Sequence, residues 1–174
     1  MSASADGSPD RSSASSSGGS SAGGVEYWFY HLERSSLAQA LPPLLEKARA
    51  REWAVFVRAG SPARLEELDD ALWTYREDAF LPHGRADGSD PERQPILLSC
   101  DTAGAERADV VVVADGAPVP DGMARVSRCV IMFDGGDEEA VHAARQTWKT
   151  LKSAGAVLSY WRQSPDGGWK EVAS

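Results

Sequence analysis

The sequence predicts a single α/β domain with a mostly parallel central sheet and helices on both faces. Three observations lead there. Strand-like and helix-like segments alternate along residues 25–174, the order that parallel sheets require. Three runs, Ile96 to Ser99, Val110 to Val113 and Arg128 to Phe133, are apolar without alternation, as strands buried on both faces are. The folded part is also the right size for one domain, which buries roughly 70% of its unfolded surface.

Val25 to Leu32, rich in aromatics, reads as the first strand. Ser35 or Ser36 caps a helix running to about Arg51, with Leu37, Leu41, Leu44, Leu45 and Ala48 at helical spacing. Pro42 and Pro43 fall inside that pattern and are expected to break it, kink it or mark a second start. Trp53 to Arg58 is the next strand. Ser61 then caps a helix with Pro62 at its first position, and Leu65, Leu68 and Leu72 form its buried face. A polar loop is expected from Arg76 to Pro95, followed by the three apolar strands. Asp137 to Ala154 reads as a helix stopped by Gly155. Val157 to Arg162 and Trp169 to Val172 suit a closing hairpin around Pro165-Asp166-Gly167-Gly168.

Residues 1–24 are almost all Ser, Gly, Ala and Asp. Such a segment buries too little apolar surface to offset its ordering entropy and is expected to be a disordered tail. It has neither the apolar core of a signal peptide nor the Arg-rich pattern of a transit peptide, and no run approaches the ~20 apolar residues of a membrane helix. A cytoplasmic protein is expected, with Cys100 and Cys129 as buried free thiols. The net charge of −8 argues against gripping DNA through its phosphates, which needs a basic footprint.

Enzyme signatures are weak. Phe133-Asp134-Gly135-Gly136-Asp137 is a Gly-rich strand–helix turn, a kind that often holds phosphates. Here Asp134, Asp137, Glu138 and Glu139 crowd the helix start, complement its dipole and repel a phosphate. His31, His83 and His142 lie far apart without partners at metal spacing, and each reads as a surface or packing residue. No nucleophile elbow or phosphate loop occurs, so no catalytic residue, metal site or cofactor is expected.

Two segments suit contact better than catalysis. Trp73 and Phe80 flank charged residues at the end of the second helix, before Leu81-Pro82-His83-Gly84. Large aromatics in a polar setting favour docking, although Trp73 also fits an extension of the buried Leu65–Leu72 face. On the last helix, Arg145, Trp148, Lys149 and Lys152 fall at i, i+3, i+4 and i+7, on one side. Either this is a solvated cationic face with Trp148 packed inward, or it is a site for a short acidic peptide. Exposed charge pairs contribute only ~0–1 kcal/mol each, so specific binding there also needs an apolar anchor.

From Val25 to about Trp161 the chain resembles the chi subunit of bacterial DNA polymerase III. The resemblance rests on Phe29-Tyr30, Leu68-Asp69-Asp70-Ala71-Leu72-Trp73, Phe80-Leu81-Pro82-His83 and the Lys149-to-Gly155 helix end. It implies a fold similar to nucleotide-binding α/β proteins but without a nucleotide site. It also implies a non-catalytic replication protein that links the clamp loader to single-stranded DNA-binding protein (SSB), and so meets DNA only indirectly. The acidic SSB tail, ending in Pro-Phe, is held at positions matching Arg145, Trp148 and Lys149, with Lys152 one turn on. The family usually has Tyr at Trp148, and a family Val falls near Asp134. Positions matching Trp73 and Phe80 contact the psi subunit, a surface that a DNA-repair helicase uses in some bacteria. The competing readings are an adaptor for that helicase through the Trp73/Phe80 surface, a small enzyme on a degenerate nucleotide-binding scaffold, and an unpartnered structural domain.

Overall fold

A computed structural model describes residues 24–76, 81–114, 116–121, 123, 125–166 and 168–173. The expected disordered tail falls outside the described residues apart from Gly24, and Phe80 also falls outside them.

The strands are β1 (Glu26–Leu32), β2 (Val55–Arg58), β3 (Gly84–Arg85), β4 (Ile96–Ser99), β5 (Val110–Ala114), β6 (Arg128–Asp134), β7 (Val157–Gln163) and β8 (Trp169–Ala173). They form one sheet in the order β3-β4-β2-β5-β6-β1-β7-β8. Every pairing is parallel except β7 with β8, which close as the expected antiparallel hairpin. The helices are α1 (Leu37–Ala50), α2 (Pro62–Trp73) and α3 (Glu138–Ser153). Helices α1 and α2 share one core cluster with Leu32, Val57, Leu98 and Val112, whereas α3 packs in another with Phe29, Val111, Cys129 and Phe133. Adjacent strand residues point to opposite faces, so the expected helices on both faces are present.

The local signals explain where the helices start. Ser36 caps α1 in a capping box: its side chain accepts from the Gln39 N–H, and the Gln39 side chain accepts from the Ser36 N–H. Ser61 caps α2 with Pro62 at the first position, and Asp137 caps α3. The prolines of α1 act differently from expectation. Pro42 and Pro43 lie inside one uninterrupted helix. Each removes a backbone donor, but Leu37, Leu41, Leu45 and Ala48 bury one face on both sides of them. Full burial of a leucine stabilises by about 1.5–3 kcal/mol, enough across that face to offset a local cost of ~3 kcal/mol for a proline.

The expected 76–95 loop is partly structured, holding β3 and a short 3₁₀ turn at Pro91–Arg93. A two-residue strand has no periodicity to read in a sequence; it forms because β4 offers an edge. Of the two cysteines, Cys129 is buried, and burial pushes its thiol up to about 12. Cys100 is half-buried, so the expectation of two buried thiols holds in full only for Cys129.

Gln163, at the end of β7, organises the turn between β1 and α1. Its Oε1 accepts from the backbone N–H groups of Glu33, Arg34 and Ser35 at 3.1, 2.7 and 3.1 Å. Its Nε2 donates to Ser35 Oγ at 2.6 Å. A buried amide is satisfied by this set of bonds.

Candidate functional site

Helix α3 lies on the sheet through small side chains. Asp137 Oδ1 accepts from the N–H groups of Glu139 and Ala140 at 3.0 and 3.3 Å, so this acid is occupied with the helix itself. Ala140 and Ala144 are buried, one turn apart, with Val141, Trp148 and Leu151 packed beside them.

Trp148 is neither core nor free surface. It is half-buried. Its ring meets Phe29 nearly edge-on with centroids 5.1 Å apart, and Tyr160 at 5.8 Å. The Tyr160 hydroxyl is 2.7 Å from His31 Nδ1, and the His31 ring lies 5.0 Å from Phe133. Trp148 therefore stands on an aromatic bed that β1, β6 and β7 assemble. Around it Arg145, Lys149 and Lys152 are exposed, and among the described residues none of the three is in an ion pair. The cationic face and the inward-packed indole are both present.

Burial pushes the His31 pKa below its ordinary value, with Arg162 and Arg145 acting in the same direction and Glu33 and Asp134 against it. Burial raises Tyr160. The Glu33 carboxyl is held low by its bond to the Arg162 guanidinium, so that acid is neutralised locally. Asp134, at the place of the family valine, is exposed, and its Oδ1 accepts from the Gly136 N–H at 2.8 Å. Gly135 allows this turn to close over His31: a Cβ there would lie 2.2 Å from His31 Nε2 and 2.9 Å from the Leu32 carbonyl oxygen.

The residues in isolation do not show Tyr160 beside Trp148, or His31 and Phe133 beside Tyr160. Phe29 sits opposite Tyr160, and His31 opposite Phe133, in the strand register. That proximity comes from the strand order, which no local pattern encodes.

The second surface is at the end of α2. Trp73 is the last helical residue and is 59% exposed. Its indole lies against the buried His83 ring, with centroids 4.6 Å apart. His83 Nε2 is 3.0 Å from Asp69 Oδ1, and Nδ1 is 2.7 Å from the Leu81 carbonyl. Beyond the helix, Tyr75 and Arg76 both bond Glu46 of α1, at 3.1 and 3.0 Å. His83 is thus a packing residue, as expected, and it supports Trp73 from beneath. Trp73 resolves to the exposed alternative.

The two surfaces lie on opposite faces of the sheet, because α2 and α3 pack against different core clusters. Among the described residues no three His, Cys, Asp or Glu side chains gather as a metal site would need, and no helix is long and apolar enough to cross a membrane.

Known proteins resemble this chain. Its residues 25–159 match the family described as DNA polymerase III chi subunit, HolC. A Pseudomonas aeruginosa protein, DNA polymerase III subunit chi, is 30% identical over 127 residues, covering 71% of this chain and 84% of that protein. A Rickettsia prowazekii protein, probable DNA polymerase III subunit chi, is 26% identical over 88 residues. That match spans 51% of this chain and only 53% of the Rickettsia protein. The family match takes in α1, α2, α3 and the strands from β1 to β6 whole, with the start of β7, and on that coverage the chain belongs to the DNA polymerase III chi subunit family.

Proposed function

We propose that this chain is a non-catalytic accessory subunit of DNA polymerase III in replication, linking the clamp-loader complex to SSB. The α3 face holds the acidic C-terminal tail of SSB. Trp73, with Phe80, docks the psi subunit or a DNA-repair helicase. The observation that carries this reading is the exposed Arg145, Lys149 and Lys152 around a half-buried Trp148 on a protein of net charge −8.

The chemistry supports it. The aromatic bed gives an apolar residue somewhere to lie, and three unpaired cations attract carboxylates. A basic island on an acidic protein favours a short acidic segment over duplex DNA, which carries charge far beyond the island. Placement of the two surfaces on opposite faces supports a bridge, since neither occupant obstructs the other.

Titration of a fluorescent acidic peptide ending in Pro-Phe tests this reading. Wild type binds it, and removing the terminal Phe weakens binding. Equal affinity for wild type and Lys149→Glu refutes the α3 site.

A further inference from the structure

The face that carries α1 and α2 is not filled at the N-terminal ends of β1, β5 and β6. A cavity of about 270 Å³ opens there, beneath the last turns of α1. Its walls are apolar: Val110, Val130 and Met132 from the sheet and Leu44 from the helix, with the indoles of Trp28, Trp53 and Trp169 beside them. Lys47, Arg51 and Arg128 also line it, and among the described residues no carboxylate does.

Indole faces, more than acids, hold these guanidinium groups. The Arg128 Cζ lies 3.7 Å from the Trp28 ring centroid and 5.8 Å from that of Trp53. The Arg51 Cζ lies 5.0 Å from the Trp53 centroid. Arg128 Nη2 is 3.6 Å from Glu26, but among the described residues neither Lys47 nor Arg51 is in an ion pair. Cations that line a cavity without a carboxylate among its walls leave it positive, and a ligand anion balances them. An inorganic anion would leave the apolar walls wet, and a neutral apolar guest would leave the cations unanswered. A guest with an apolar body and one acidic head meets both.

We propose that this cavity binds a small amphipathic carboxylate, its aliphatic or aryl body on Val110, Val130 and Met132 and its head at Lys47, Arg51 and Arg128. Ligand pockets run roughly 300–1,000 Å³, so this one suits a free small molecule better than a polypeptide segment. It shares no residue with the Trp73 surface or with the cationic face of α3.

The test is titration of the full chain with octanoate, following the indole N–H resonances of its six tryptophans by NMR. The expected result is one saturable shift of Trp28, Trp53 and Trp169 while Trp73 and Trp148 stay still. Octanol binds roughly tenfold more weakly and octylammonium not at all. Lys47 and Arg51 are exposed, so the double variant Lys47→Gln/Arg51→Gln melts as wild type does but binds octanoate roughly tenfold more weakly. The proposal is overturned if those indoles show no saturable shift, if octanol or octylammonium matches octanoate, or if the double variant binds unchanged. A peptide with a C-terminal Leu that outcompetes octanoate at the same indoles replaces the small molecule with a protein segment.

Discussion

Trp73 rests on His83, with ring centroids 4.6 Å apart. The exposed indole is therefore positioned by a buried imidazole that Asp69 and the Leu81 carbonyl hold from two sides. Trp73→Ala removes a side chain that is 59% exposed. It should change stability by less than about 1 kcal/mol yet cost roughly 2 kcal/mol of partner binding, about thirtyfold. His83→Ala should do the reverse first, lowering stability by about 2 kcal/mol because Asp69 loses its partner and a cavity opens. Calorimetric titration with the psi subunit or the helicase, alongside thermal melts, separates the two variants.

On α3, Arg145→Ala should weaken the tail peptide by about fivefold, or ~1 kcal/mol. Lys149→Glu should weaken it more than roughly tenfold, because it sets a like charge against the acidic ligand. Both side chains are exposed, so neither variant should shift the melting temperature. Fluorescence anisotropy at two salt concentrations checks this, since wild-type affinity should also fall as salt rises.

Trp148 packs in the fold and, in the proposed reading, lines the peptide site. Trp148→Ala takes away contacts with Phe29 and Tyr160 and should cost about 2–3 kcal/mol, less than a fully buried Trp would. Trp148→Tyr keeps an aromatic edge on Phe29 and should recover most of the stability and most of the peptide affinity. Urea midpoints and peptide titrations of the pair read both effects.

His31 predicts a pH dependence. Its folded pKa lies below the ordinary value of 6.5. As pH falls through about 6.5 the unfolded chain takes up a proton at this ring before the folded chain does, so stability is lost on acidification until the folded ring titrates as well. In His31→Asn, whose amide stands where Nδ1 meets the Tyr160 hydroxyl, the fall in stability between pH 7 and pH 5 (roughly the range over which histidine titrates) should be shallower. Urea denaturation at several pH values measures the difference in slope.

Gln163→Ala removes the acceptor for three backbone N–H groups at once. It should cost about 2 kcal/mol or more and loosen the entry to α1. Hydrogen exchange should quicken at Glu33, Arg34 and Ser35, with the peptide affinity of α3 unchanged.

The sequence by itself determined the helix starts at Ser61 and Asp137, narrowed the first to Ser35 or Ser36, and marked the apolar central strands and the closing hairpin. Each depends on capping, periodicity or turn chemistry within a few residues, so the chain carries those signals locally. It also put Arg145, Trp148, Lys149 and Lys152 on one side of a helix, because helical geometry fixes that spacing. Only the tertiary structure decided that α1 runs through Pro42 and Pro43, since burial of its leucine face outweighs the local cost. Only it decided that Trp73 is exposed, because spacing alone does not say where the core ends. The aromatic bed beneath Trp148 is likewise a product of strand order, which brings Phe29, His31, Phe133 and Tyr160 together from parts of the chain more than a hundred residues apart. The same order leaves the cavity under α1 between strands that are distant in sequence, where long-range packing places Arg128 between Trp28 and Trp53.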